Sequence, residues 1–290
     1  MLAGCTTTRV AFEDRSKDAA TLETSMASIH DSTVGVLNTV NTDLMPFRAK
    51  AESRGETFDP DKLYVLRPAD IAVWDKLLKA LDLYCTGLSK LAGNTPATDF
   101  TTSAESLASD IQSLGTMEKM TVSSTESNCA TAVIALGDLL IRYKANADLH
   151  QIVGEATPHF NAVVDGLVAA LGFAGTPPKP QGNGILGTYD DTFGAYNIAV
   201  DRQFQNGHIA GFADLTPAQR EGAIQEYLTW KKAAADHADQ DTKIAALASA
   251  LVKAKEAHAA LAGVSPQHLK DAYSQLVTAV KAVQQIHQKL

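Results

Sequence analysis

The sequence predicts an all-α protein, an elongated antiparallel bundle of about six to seven helices, several of them long. Three observations predict it. Apolar residues recur at steps of four and three through nearly the whole chain, the spacing that lines one face of a helix. No stretch shows the strict alternation of a half-buried strand. Where the stripes begin and end stand the residues that start and stop helices, with Ser, Thr and Pro ahead and Gly behind.

The first helix is expected from Arg9 to about Arg54. Leu22, Met26, Ile29, Thr33, Val36 and Val40 form its stripe, and Leu44 and Phe47 prolong it. Pro46 should kink or end it, because proline removes a backbone donor and crowds the preceding turn. Arg54 to Asp61 reads as a loop. Pro68 suits a first helical position. Ile71, Trp74, Leu78, Leu81, Cys85, Leu88 and Leu91 then make a second stripe that ends near Gly93-Asn94. Phe100, Ala104, Leu107, Ile111 and Leu114 step through a short third helix. The Ser/Thr-rich stretch Thr121 to Ser127 offers caps for a fourth. Its stripe runs through Val133, Leu136, Leu140 and Tyr143 to Ile152, Phe160, Val163, Leu167 and Leu171, with a bend expected at Gly154 and Pro158.

Gly172 to Gly187 is the clear non-helical insertion, extended at Thr176-Pro177-Pro178-Lys179-Pro180 and flexible at the glycines after it. Leu186, Tyr189, Phe193, Tyr196, Val200 and Phe204 follow as a fifth helix with an aromatic stripe, which at this spacing reads as core. Thr216-Pro217-Ala218-Gln219 carries a cap, a first-position proline and the glutamine of a capping box. It opens the longest helix, expected to reach Ala262. Gly263 and Ser265-Pro266 stop that helix and start the last, with Leu269, Tyr273, Leu276, Val280 and Val283 inward. Rods of this length do not fold into a sphere, so they should lie side by side as in a stalk or coiled-coil arm. The expected organisation is a short segment over residues 1–8, then one elongated helical domain over 9–290 with its Gly/Pro loop at 172–187.

Composition bounds function. A hydrophobic content of 45% and a charged content of 20% belong to a folded chain. A formal net charge of -8 argues against non-specific nucleic-acid binding, which needs a cationic surface. No run of about 18 apolar residues exists, and the densest stretch, Leu167 to Phe173, is too short to span a bilayer.

Leu2-Ala3-Gly4-Cys5 resembles the lipobox of bacterial lipoproteins, in which an aliphatic residue, two small residues and a cysteine close the signal peptide. The resemblance implies that Cys5 becomes an acylated N-terminus, and Thr6 after it implies outer-membrane retention facing the periplasm. Several buried acyl chains, at about 0.8 kcal/mol per methylene, give durable attachment. Such a motif expects a basic segment and an apolar run of about 7–15 residues ahead of it. The competing reading is an incidental cysteine in a frayed N-terminus. With Cys5 lipidated, Cys85 and Cys129 remain as an even pair. They form either a disulfide, closing a loop of about 44 residues worth roughly 4 kcal/mol, or two separate buried thiols; export favours the bond.

Motifs for chemistry are sparse. Gly182-Asn-Gly184-Ile-Leu-Gly187 fits the dinucleotide pattern, with Asp201 about 20 residues on. It lacks the preceding strand and the βαβ unit, so it reads as a turn. Among eight histidines there is no paired Glu-x-x-His and no H-E-x-x-H. His237 and Asp241 are four apart on the longest helix, where their side chains can meet; a polar layer or solvated face competes with a metal or proton site there. Glu155 and His159 raise the same possibility. No G-x-S-x-G elbow is present, so no catalytic residue, cofactor or metal ligand is assigned. Leu215-Thr216-x-x-Gln219 resembles the LTxxQ signature of Spy/CpxP-like periplasmic chaperones, although a capping box explains the same residues.

The expected function is therefore that of a non-catalytic, lipid-anchored interaction or scaffold protein of the bacterial envelope. Its partners would be the membrane, through the lipid on Cys5, and an envelope protein or polymer. The alternatives are a helical membrane-active protein, for which Val163 to Phe173 would be the inserting segment, a periplasmic chaperone, or a metal-binding protein centred on His237.

Overall fold

The computed structural model describes residues 4–52, 64–93, 124–142, 149–203, 211–263 and 265–287. Among them are seven α-helices: α1 (Gly4–Glu52), α2 (Pro68–Ala92), α3 (Ser124–Arg142), α4 (Leu149–Leu171), α5 (Gly184–Gln203), α6 (Pro217–Leu261) and α7 (Pro266–His287). A two-stranded ribbon, β1 (Phe173–Ala174) with β2 (Lys179–Pro180), separates α4 from α5. The all-α bundle is the fold. The expected third helix at Phe100–Leu114 and the loop at Arg54–Asp61 lie outside the described residues, apart from the helix end preceding that loop.

The stripes read from the sequence are the buried faces. Leu22, Met26, Ile29, Thr33, Val36, Val40 and Leu44 of α1 are shut away from solvent, and so are Leu269, Tyr273, Leu276, Val280 and Val283 of α7. One hydrophobic cluster draws on all seven helices. Each fully buried aliphatic or aromatic side chain in it contributes about 1.5–3 kcal/mol.

Polar contacts at the seams fix how the rods run. His30 of α1 meets Asp75 of α2 at 2.7 Å, and further along Asn41 accepts from the backbone N–H groups of Val65 and Leu66, both at 2.9 Å. Rising numbers on α1 face falling numbers on α2, so the two are antiparallel. The same rule puts α6 antiparallel to α1, since Arg15 donates to the Gly263 carbonyl while Gln240 donates to Asp43. Lys255 pairs with Asp165, and His258 lies on Phe160, so α4 also runs against α6.

Helix starts follow local chemistry. Thr216 accepts from the Gln219 N–H, and Gln219 Oε1 accepts from the Thr216 N–H at 2.9 Å, which closes the capping box expected ahead of α6. Pro68 opens α2, and Asp70 reaches back to the Arg67 N–H while gripping its guanidinium at 2.9 and 3.0 Å.

Three expectations need correction: the start of α1, the single fourth helix and the flexible insertion. α1 begins at Gly4 rather than Arg9, and it passes through Pro46 to Glu52. Thr42, whose carbonyl loses its donor to Pro46, sits on the exposed face, and Arg48 beyond the proline ties the helix to the Tyr64 carbonyl and to Thr192. The single bent fourth helix is instead two helices, α3 and α4. Cys129 near one end of α3 reaches the carbonyls of Ala162 and Val163, while Arg142 at its other end lies 3.8 Å from Glu155, so α3 and α4 form an antiparallel hairpin. Pro158 lies inside α4 without ending it: Gly154 and Pro158 face solvent, where water can satisfy the orphaned carbonyl, while Ile152, Val153, Ala156 and Phe160 hold the other face in the core.

The insertion at 172–187 is a packed hairpin rather than a flexible tether. Its backbone folds onto the end of α4 so closely that a Cβ on Gly172 would lie 2.2 Å from the Asn183 carbonyl oxygen, and one on Gly184 would lie 2.6 Å from that of Ala170. Both residues also have positive φ, at 98° and 65°. Close approach of two chain segments, not phosphate binding, accounts for this part of the glycine pattern. The brief β1–β2 pairing is a strand contact that the apolar periodicity did not signal.

Candidate functional site

The predicted site residues fall in three places. Cys5 lies in the first turn of α1, and its side chain is outside the described ones. Cys85 and Cys129 are both buried and are thiols rather than a disulfide, which corrects the expected crosslink. The physical reason is their facing. Cys129 reaches from α3 to the carbonyls of Ala162 and Val163 on α4, whereas Cys85 is buried on α2 within the field of Asp82 and of Glu23 on α1. Burial raises the Cys85 thiol well above its ordinary range, which keeps it protonated and unreactive.

Glu155 and His159 do not converge as a pair. Glu155 instead accepts from Gln151 at 3.1 Å and faces Arg142. Asp201 sits on α5, with no parallel βαβ unit before it among the described residues.

His237 and Asp241 are brought together, and α5 adds a third group that periodicity could not announce. His237 Nδ1 lies 3.7 Å from Asp241 Oδ2, and Nε2 lies 3.1 Å from Asp190 Oδ1. The imidazole stacks on Phe193 at 4.2 Å between ring centres and on Tyr189 at 5.2 Å. Tyr189 and Phe193 are one turn apart on α5, so they fix the plane of the imidazole while leaving its nitrogens to the carboxylates. Of the aromatic stripe expected to be core, Tyr189 is buried and Phe193 partly so, and both seat His237; the side chains of Tyr196 and Phe204 lie outside the described ones.

Electrostatically the neighbourhood is acidic. Asp43, Asp190, Asp236 and Asp241 all act on Tyr189, whose hydroxyl is pushed well above its usual range by burial and then by these charges. Burial, followed by the nearby Asp190 carboxylate, raises Asp241, while His237 pulls it down. Asp43 is raised by burial and lowered by its bond from Gln240 at 2.6 Å. Lys232 answers Asp236 at 2.7 Å, and Lys243 answers Asp239 at 2.9 Å. One imidazole thus faces two carboxylates, an arrangement able to hold a cation or to lock α5 against α6.

The chain matches no family model, no curated protein and no solved structure among those compared with it. Its own geometry carries the functional reading.

A second polar group lies wholly inside the bundle. His258 of α6 is fully buried, with Nε2 3.0 Å from the Tyr84 hydroxyl and its ring stacked flat on Phe160 at 4.2 Å. Burial pushes its pKa down to about 3, so it is neutral at ordinary pH. With no opening to solvent it can only set the register of α2, α4 and α6. The sequence carried a signal for it, since Leu251, Ala254, His258 and Leu261 step three-four-three along one face.

An open groove of about 380 Å³ between α1 and α7 is lined by Lys17, Thr21, Thr24, Val277, Lys281 and Gln284. It brings two lysines and three hydroxyls together but no carboxylate, histidine or cysteine.

Proposed function

We propose that the protein is a non-catalytic interaction or scaffold protein, anchored through Cys5 to the periplasmic face of a bacterial outer membrane, with its helices offered to an envelope protein or polymer. The observation that supports it is the first half of α6. From Pro217 to Asp236 only Ala223 and Ala233 are buried, whereas from Gln240 to Leu261 the same helix lies deep in the core. Ile224 and Leu228, one turn apart on that first half, are the large apolar side chains left exposed among the described residues, at 43% and 50%. A helix held firmly at one end and presenting an apolar pair at the other is suited to docking. The anchor rests on Leu2-Ala3-Gly4-Cys5.

The membrane-active alternative has no comparable support. Val163, Val164, Leu167, Val168, Leu171 and Phe173 are apolar because they are core, and Asp165 between them pairs with Lys255. No helix among the described residues is long and apolar enough to cross a membrane. The Thr216–Gln219 cap likewise accounts for the chaperone-like signature.

Labelled palmitate should enter the full-length product in cells and be absent from a Cys5→Ser variant. A photo-reactive residue at position 224 or 228 should give a discrete crosslinked adduct in intact envelopes, and one at exposed Asp271 should not. A product that takes up no label and crosslinks equally at all three positions would refute the proposal.

A further inference from the structure

We propose that Asp190, His237 and Asp241 form a binding site for one divalent transition-metal ion, of which zinc is the best fit, and that the ion ties α5 to α6. One nitrogen of His237 and one oxygen of each carboxylate all lie within 4.8 Å of one another. Ligand atoms about 2.0–2.2 Å from zinc stand roughly 3.4 Å apart in a tetrahedron, so the set has to draw in by at most about 1.4 Å. The donors select the ion. Two carboxylate oxygens with an imidazole suit a borderline metal, whereas calcium and magnesium favour all-oxygen shells.

A second observation points to a ligand rather than to a finished ion pair. His237 Nε2 is shut off from solvent and makes no hydrogen bond among the described residues, while the Asp241 carboxyl, whose Oδ1 is also closed off, meets the Asp190 carboxyl at hydrogen-bond distance, one acid against another. Nε2 is 3.1 Å from Asp190 but is not aligned to donate to it. A buried ring nitrogen left in that state costs stability, and a metal in front of it removes the cost. The stack on Tyr189 and Phe193 already fixes the ring orientation, as the outer shell of a metal-binding histidine does. The excess of nearby carboxylates over cations favours positive charge at this point. Three protein ligands leave at least one coordination position for water or for a group from a partner.

The effect on the protein follows from where the ligands sit. Asp190 belongs to α5, and His237 and Asp241 belong to α6 one turn apart, so the ion bridges two elements distant in sequence. Any ion that binds the folded chain alone raises its melting temperature in proportion to the logarithm of ion concentration over Kd.

The test uses the untagged protein, stripped with chelator and titrated with zinc chloride in a calorimeter. The expected result is one ion per chain and a higher melting temperature when zinc is present. Asp190→Asn, at a half-exposed position, should weaken binding at least about 10-fold and abolish most of the thermal shift, as should Asp241→Asn. Cobalt chloride should give a visible absorption band in the parent protein that is lost in both variants. Circular dichroism verifies that each variant is folded. His30→Gln, which removes a different His–Asp contact, should bind zinc as the parent does. Absence of stoichiometric binding in the parent would overturn the site, and so would unchanged binding in both folded aspartate variants.

Discussion

Replacing His258 by glutamine isolates the pH dependence that this buried imidazole imposes on the bundle. Glutamine is close in size and still offers an oxygen to the Tyr84 hydroxyl, 3.0 Å away in the parent, but it does not titrate. In the folded protein burial holds His258 at about 3, against an ordinary value of 6.5. Between those values the unfolded chain takes up a proton that the folded chain refuses. The contribution to stability is therefore complete above pH 6.5 and is lost as the pH falls toward 3, by about 1.4 kcal/mol per pH unit. Between about pH 7.5 and pH 4.5 the parent should lose roughly 2.7 kcal/mol more than His258→Gln. Asp82 acts in the opposite sense. Burial raises its carboxyl to about 6, so the folded state takes up that proton first and gains from acid. Because Asp82 is present in both proteins, its effect cancels in the difference. The assay is urea unfolding of both proteins at four pH values with a common slope. A parent-minus-variant difference that stays flat across this range would refute the buried, neutral assignment.

Three further outcomes are expected. Gly184→Ala places a Cβ 2.6 Å from the Ala170 carbonyl oxygen at a positive φ, and should lower the unfolding free energy by about 2 kcal/mol or more in urea titration. Thr216→Ala removes the cap of α6 at a cost of about 1 kcal/mol, read as faster amide exchange in its first turn with the core of the bundle unchanged. Purified protein denatured without reductant should react with a thiol reagent at both Cys85 and Cys129, and the native protein should react slowly at each; protection that survives denaturation would restore the disulfide.

The fold was legible wherever a helix buries one narrow face. The stripes of α1, α2 and α7 match their buried residues because a four-three spacing has one physical use in such a chain. The division into α3 and α4 was missed because stripes of the same spacing, through Leu140 and again from Ile152, do not say whether one rod or two carry them, and the bend was looked for at Pro158, although proline reports only the cost to the backbone. Whether that cost is met depends on which side of the helix it falls, and at Pro158 it falls toward water. The glycine pattern was rightly kept apart from nucleotide binding, but its real cause, two backbones in contact, is a tertiary fact. Half of the His237 site was readable as an i,i+4 pair. Asp190 was not, since α5 and α6 meet through a contact that no local periodicity records. His258 lay in plain view on an apolar stripe, and its polarity at that position was the overlooked signal.

The unbroken run of α6 gives its exposed end a mechanical meaning. About 20 residues of helix, roughly 30 Å, precede the Gln240–Asp43 bond with only Ala223 and Ala233 buried, while the remainder lies along the core. A tilt of about 5° near Gln240 sweeps the tip by roughly 2.6 Å over that length. A displacement imposed at Ile224 and Leu228 would be carried by this continuous helix to Gln240 and His237, where α1 and α5 meet it.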